Sequence, residues 1–181
     1  DNTAVGKEAL KLNTGGSNTA VGNECLESNT TGIRNTAVGA NAADASATAN
    51  DVTAIGYAAL TANANEGSNN TAVGSYALNN NTTGSENTAM GKSALGSATT
   101  GAYLTAVGSG AMAAAVTGNK NDAFGFNAGA SITTGTSNTC IGAQSGDSIS
   151  TGNYNVAIGV AALQAGQSLS QNVAIGYRAL Y

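Results

Sequence analysis

Residues able to do acid–base, nucleophilic or metal chemistry are few in this chain. It holds ten Asp and Glu, two Cys and no His among 181 residues. The acidic residues are Asp1, Glu8, Glu24, Glu27, Asp44, Asp51, Glu66, Glu86, Asp122 and Asp147, and they follow no common spacing. Glu24 and Glu27 flank a predicted turn, where we expect a solvated face. Zinc hydrolysis and acyl transfer would need ligands or bases that are not present.

These observations predict a protein that is not an enzyme, with no catalytic residue, no metal site and no cofactor. Calcium-binding β-rolls repeat a G-G-x-G-x-D pattern, and this sequence has no such run. Two carboxylates suffice for glycoside hydrolysis, so a polysaccharide-cleaving protein stays as a low-ranked alternative.

The two cysteines, Cys25 and Cys140, stand at positions that are Ala in other repeats. If each repeat is one coil of a stack, they are on the order of 33 Å apart. A disulfide requires Cα atoms about 4.4 to 6.8 Å apart. We therefore predict two small buried residues, with an intermolecular bond as the alternative.

Charge and hydropathy argue against two classes of partner. The formal net charge is −4 and the six basic residues are scattered, so no basic surface for nucleic acid is predicted. No apolar run approaches the ~20 residues of a spanning helix, so we predict no membrane-spanning segment. An amino-terminal signal and an initiating Met are also lacking, and we expect a processed protein or a piece of a longer one.

One sequence motif, NTAVG with its variants, recurs along the whole chain. Its Thr-like position defines the threonine column, with one repeat beginning near each member: Thr3, Thr19, Thr36, Thr53, Thr71, Thr88, Thr105, Asp122, Thr139, Val156 and Val173. The spacing is 17 residues, with single exceptions of 16 and 18. Such regularity predicts one repeat domain spanning residues 1–181.

Two apolar columns predict the core. The aliphatic column comprises Val5, Val21, Val38, Ile55, Val73, Met90, Val107, Phe124, Ile141, Ile158 and Ile175. The leucine column comprises Leu10, Leu26, Ala43, Leu60, Leu78, Leu95, Met112, Gly129, Gly146, Leu163 and Leu180. The mostly β-branched aliphatic column indicates a buried strand face, and the leucine column a second, less uniform strand.

Small residues surround the aliphatic column. The alanine column, directly before it, is Ala in ten repeats and Cys140 in the other. The glycine column, directly after it, is invariant: Gly6, Gly22, Gly39, Gly56, Gly74, Gly91, Gly108, Gly125, Gly142, Gly159 and Gly176. Because side chains alternate along a strand, both should face away from the aliphatic column. Invariant Gly also predicts a sharp bend or a close approach of backbone.

The remaining positions are typical of turns. Thr-Gly pairs such as Thr31-Gly32 indicate bends. The asparagine column should stack from coil to coil as an amide ladder: Asn2, Asn18, Asn35, Asn70, Asn87, Asn121, Asn138, Asn155 and Asn172. Two short strands fit into 17 residues, whereas a pair of helices does not. We predict an all-β fold, a parallel β-solenoid or β-roll of 10 to 11 coils.

VAIG at 156–159 and 173–176, with its TAVG relatives, resembles the head repeats of trimeric autotransporter adhesins. The longer form NTAVG..AL...TTG..N is more similar to repeat regions of phage tail fibres and bacterial surface proteins. The resemblance implies a left-handed parallel β-roll, a homotrimer, and an extracellular adhesive or structural role. It covers essentially the whole chain.

The residues leave the oligomeric state open. The alanine and glycine columns could lie against neighbouring subunits of a trimer while the aliphatic column fills the coil. Alternatively, Ala and Gly fill a narrow interior in a monomer. On the first view, Glu at Ala72 and Ala106 disperses an oligomer.

Several functions are compatible with this fold. We expect first a non-enzymatic extracellular fibre segment, on a cell or virion surface, with a glycan or receptor as a possible partner. Because neither end of the repeat array has a capping repeat, a filament built by end-to-end stacking is the alternative. A rank of Thr could also bind ice or crystalline polysaccharide. However, Asp122, Val156 and Val173 in that column favour an interior or interface position.

Overall fold

Each repeat contributes one short strand to the fold. The computed structural model describes residues 1–62 and 67–181, and this part contains eleven three-residue strands and no helix. They are β1 (Thr3–Val5), β2 (Thr19–Val21), β3 (Thr36–Val38), β4 (Thr53–Ile55), β5 (Thr71–Val73), β6 (Thr88–Met90), β7 (Thr105–Val107), β8 (Asp122–Phe124), β9 (Thr139–Ile141), β10 (Val156–Ile158) and β11 (Val173–Ile175).

The strands form one parallel sheet in chain order, β1 to β11. Equivalent residues pair directly: Thr3 lies beside Thr19, and Val156 beside Val173. The register is kept across the 18-residue repeat, where Thr53 pairs with Thr71. The prediction of an all-β parallel solenoid with a repeat of about 17 residues is confirmed.

Hydrogen bonds between coils continue beyond the strands. Within the strand region, Thr19 N–H donates to Asn35 O at 2.8 Å and Gly22 N–H to Val5 O at 2.8 Å. Farther round the coil, Leu26 N–H donates to Ala42 O at 3.0 Å. The backbone of each coil is therefore satisfied by its neighbours, as buried backbone groups require.

The predicted second strand at the leucine column is wrong. These residues form turns in the left-handed region, with φ of 50° at Leu26, 54° at Leu60 and 51° at Leu78. Between the two end coils their side chains are nevertheless buried, so this column is core there, as predicted. A left-handed turn aims the side chain inward without an extended segment, so one strand per coil suffices.

The prediction for the aliphatic column is also wrong, because its side chains point outward. Met90 is 44% exposed and Phe124 is 41% exposed, whereas Ala89 and Ala123 are 0% exposed. The coil interior is narrow: the leucine column fills it from one side, and only Ala or Cys fits opposite. The alternative in which Ala fills a narrow interior is therefore the observed one.

The glycine column marks a bend in close contact with the next coil. Gly74 has φ of +133°, and a Cβ on it would lie 2.7 Å from the carbonyl carbon of Gly91. Both the conformation and the lack of space exclude a side chain. The prediction of a bend with close backbone approach is confirmed.

The asparagine column forms the expected ladder, mostly through backbone. Asn35 Nδ2 donates to Ala49 O at 2.8 Å, and its Oδ1 accepts from Val52 N–H at 2.9 Å. Direct side-chain bonds occur late in the chain, as from Asn155 Nδ2 to Asn138 Oδ1 at 2.9 Å. Each buried Asn thus fastens its coil to the next.

Candidate interaction face

The outward surface of the sheet runs along all eleven strands. Its middle consists of the threonine and aliphatic columns, the first and last residues of each strand, which both point away from the core. We call this surface, together with the two columns that border it, the outer face.

The leading-edge column lies two residues before each strand from β2 onward. It comprises Ser17, Arg34, Asp51, Asn69, Glu86, Tyr103, Lys120, Ser137, Tyr154 and Gln171. All ten have positive φ, between 57° at Asp51 and 62° at Gln171. Nine of the ten are exposed and Ser137 is half-buried, whereas the asparagine-column position that follows is mostly buried. The left-handed turn thus presents this side chain at one border of the face.

The trailing-edge column lies two residues after each strand, beyond the bend at Gly. It comprises Lys7, Asn23, Ala40, Tyr57, Ser75, Lys92, Ser109, Phe126, Ala143, Val160 and Tyr177. Its larger members are exposed, among them Tyr57, Phe126, Val160 and Tyr177. They extend the apolar surface to the opposite border.

The middle of the outer face carries little charge, and the other charged residues of the face lie at its borders: Lys7, Arg34, Asp51, Glu86, Lys92 and Lys120. Asp122 is the one charged residue in the threonine and aliphatic columns. At the leading edge, Arg34 Nε contacts Asp51 Oδ1 at 2.6 Å, so these two charges neutralise each other within the chain. This pairing lowers the pKa of the Asp51 carboxyl through its hydrogen bond with Arg34. Large exposed side chains with so few charges mark a surface that contacts something.

The sequence contains a signal that tells the inward column from the outward one. The alanine column admits only Ala and Cys, whereas the aliphatic column admits Val, Ile, Met and Phe. A closely packed interior tolerates less variation in volume than a surface does. Uniformity of size, rather than hydrophobicity, is the signal that identifies the inward column.

Three of the acidic residues named in the sequence analysis lie close together, beyond the bend at the glycine column. Carboxylate oxygens of Glu8, Glu24 and Glu27 lie within 4.8 Å of one another. The Lys11 Nζ atom sits among them, 3.0 Å from Glu27 Oε1 and 3.5 Å from Glu8 Oε1. Its pKa is raised, first by the hydrogen bond to Glu27. Lys11 therefore already supplies one positive charge to this group.

Asp44 borders this group from the next coil. Burial raises the pKa of its carboxyl, and the negative charges of Glu27 and Glu24 raise it further. Its Oδ1 atom is buried without a hydrogen-bond partner. The other predicted acids are dispersed, and Glu66 lies outside the described residues.

Both cysteines are free and buried, as predicted. Burial raises the pKa of the Cys25 thiol to about 11 and that of the Cys140 thiol to about 12. The Cys25 Sγ atom donates to the carbonyl of Ala37 at 3.2 Å. Neither thiol is placed or ionised for nucleophilic chemistry.

The described ranges, 1–62 and 67–181, contain no pocket. Nor does this part of the chain contain a helix long and apolar enough to cross a membrane. A ligand would therefore contact a surface rather than enter a cavity.

The fold and face define the chain as a parallel β-solenoid repeat protein with an apolar outer face. It matches no protein-family model, and comparisons with curated proteins and with solved structures find no match.

Proposed function

We propose that this chain is a structural or adhesive fibre segment of the extracellular space, a homotrimer whose copies associate through the outer face. One observation carries the proposal: the aliphatic column, with bulky side chains such as Met90 and Phe124, faces outward along all eleven strands. Covering these side chains removes apolar surface from water, which favours association.

The outer face has the size that stable association requires. Eleven strands at ~4.8 Å spacing extend over about 48 Å, and six residues from edge to edge at ~3.3 Å each span up to about 20 Å. The resulting area is at most about 1,000 Å² per copy, because the turns at both borders shorten the span. Specific interfaces bury about 800 Å² on each partner.

The fold suits a fibre because every coil is hydrogen-bonded to its neighbours. Bonds from the asparagine column and the backbone fasten each coil to the next, so the rod resists bending along its length. The same regularity leaves the other surfaces free for weak, repeated contacts with a receptor or glycan.

Light scattering across protein concentrations tests the proposal. We expect a mass near three chains for the 181-residue protein, and loss of association in the variant Ile55→Glu/Ile141→Glu. Leu12→Glu is the control, because Leu12 is also exposed (54%, against 39% for Ile55 and 40% for Ile141) but lies outside the outer face. A monomer at all concentrations, or equal effects of the two variants, would refute association through this face.

A second candidate follows from the outward position of the threonine column. Of the two positions expected for this column, interior or interface, the interior one is wrong. The Thr side chains stand in register beside the aliphatic column. Such a rank could bind a flat repeating surface such as ice or crystalline polysaccharide. A monomer that shows thermal hysteresis or sediments with insoluble polysaccharide, and loses this in Thr71→Tyr, would favour this candidate.

A further inference from the structure

The two borders of the outer face carry opposite charges at the central strand, β6. Glu86 is its leading-edge residue and Lys92 its trailing-edge residue. Among strands β2 to β11, β6 is the one at which both edge residues are charged. Both side chains are exposed.

These two charges do not pair with each other within one chain. They lie six positions apart in the sequence, at opposite borders of the face. The ion pairs of the described residues join Lys7, Lys11 and Arg34 to acids, and involve neither Glu86 nor Lys92. Each is therefore available to a partner.

The direction in which two copies pack decides which charges meet. If two copies are related by a rotation about an axis parallel to the rods, the chains are parallel. Each coil then lies level with its equivalent. The leading edge of one copy then borders the trailing edge of the other. Glu86 of one copy meets Lys92 of the next, which is attractive.

An antiparallel arrangement gives the opposite result. A two-fold axis perpendicular to the rod brings leading edge against leading edge. With the eleven strands fully overlapped, β6 lies opposite β6, so Glu86 meets Glu86 and Lys92 meets Lys92. Like charges at such borders suppress the wrong partner orientation.

The edge residues of a second strand, β8, also favour the parallel arrangement. At β8 the leading-edge residue is Lys120 and the trailing-edge residue is Phe126, which is 56% exposed. Parallel packing in register places this ammonium group beside the aromatic ring of the neighbouring copy, a favourable cation–π contact.

We infer that copies of this chain associate in parallel and in register, with Glu86 of one copy paired to Lys92 of the next across the edges of the outer face. The inference rests on the proposed self-association and adds its partner, direction and register. It assigns to these two residues the role of specificity determinants rather than of the main source of affinity, which is the apolar face.

A charge-swap cycle in the 181-residue chain tests it by light scattering at low ionic strength. Glu86→Lys and Lys92→Glu should each weaken association about tenfold or more, because each brings like charges together. The double variant Glu86→Lys/Lys92→Glu should return to within about threefold of the wild-type affinity. Asp147→Lys is the control for Glu86→Lys, with the same change of charge outside the outer face.

Direction is measured separately by pulsed electron paramagnetic resonance on a spin label at Ser17→Cys. The native thiols are buried, so the label is directed to residue 17. Parallel copies should show label separations below about 30 Å, whereas fully overlapped antiparallel copies should show about 40 Å or more.

The outcomes separate the two proposals. A wild-type monomer refutes the self-association itself. An oligomer whose double variant stays weakened, or whose labels lie far apart, refutes the parallel register while leaving association through the face intact. A shifted antiparallel packing, in which Glu86 meets Lys120, would give this second result.

Discussion

The Sγ atom of Cys140 occupies the space that a side chain at Gly146 would need. A Cβ built on Gly146 overlaps this sulfur and lies 3.0 Å from Ile149 Cδ1. Gly146 belongs to the leucine column, so the larger Cys and Ile replace the volume that Leu fills in most other coils. In this irregular repeat, the small Gly146 is therefore compensated by the larger Cys140 and Ile149 of the same coil.

This compensation predicts that Gly146→Leu alone is destabilising and that its neighbours can rescue it. Overpacking should reduce the free energy of unfolding by about 1–3 kcal/mol. The variant Cys140→Ala/Gly146→Leu/Ile149→Ala has the residues that the β6 coil has at Ala89, Leu95 and Ala98, and it should lie closer to wild type. Urea unfolding of both variants measures this, and equal stability of the two would contradict the compensation.

Backbone conformation does not limit that substitution. Gly146 has φ of +58°, and Leu residues in the same column adopt 49° to 56°. Any loss in the single variant thus reports crowding rather than strain.

The sequence was sufficient for the class of fold, but its hydropathy pattern was insufficient to tell the inside of the coil from the outside. The period and the invariant Gly column predicted parallel coils, because both reflect contacts repeated at every turn. The choice between Ala123 and Phe124 as core could not be made from hydropathy, since both are apolar. It depends on the width of the coil interior, which the left-handed turns of the leucine column determine.

The prediction of a second strand failed for a related reason. Positive φ at residues such as Leu26 and Leu60 is unfavourable locally, so sequence preferences do not suggest it. The coil-to-coil hydrogen bonds that stabilise these turns form only when many repeats stack. The outer face was missed because the aliphatic column was assigned to the core instead of the alanine column.

Removal of one rung of the asparagine ladder should be costly. In Asn35→Ala, the carbonyl of Ala49 and the N–H of Val52 lose their partners in a buried site. We expect a loss of about 2–4 kcal/mol in the free energy of unfolding, since each buried unpaired group costs about 1–3 kcal/mol. Urea unfolding gives the value. Asn80→Ala, at an exposed position, is the control and should change little.

Asp44 should make stability depend on pH in a definite direction. Its pKa is raised in the folded state, chiefly by burial. Its contribution to stability is therefore greatest below the unfolded-state pKa near 3.8. It falls as pH rises through the folded-state pKa and stays lower at neutral pH. The neutral variant Asp44→Asn should be more stable than wild type at pH 7 and lose this advantage near pH 3.

Thermal melts of Asp44→Asn across this pH range provide the measurement. Asp147→Asn is a matched control, because Asp147 occupies the same place in its coil and has no acidic equivalent in the adjoining coils. If both variants change stability equally at pH 7, the burial of Asp44 beside Glu24 and Glu27 is not the cause.

Neighbouring residues on one strand should respond in opposite ways to the same substitution. Ala106 is fully buried and its neighbour Val107 points to the outer face. Ala106→Glu places an unpaired carboxylate in the narrow interior and should cost more than about 4 kcal/mol, enough to unfold the chain. Val107→Glu should change the stability of the isolated chain by less than about 1 kcal/mol, yet reduce association. Circular dichroism reports folding and light scattering reports mass. A folded but dispersed Ala106→Glu variant would instead mean that the alanine column faces a partner and that the two sides of the strand are assigned the wrong way round.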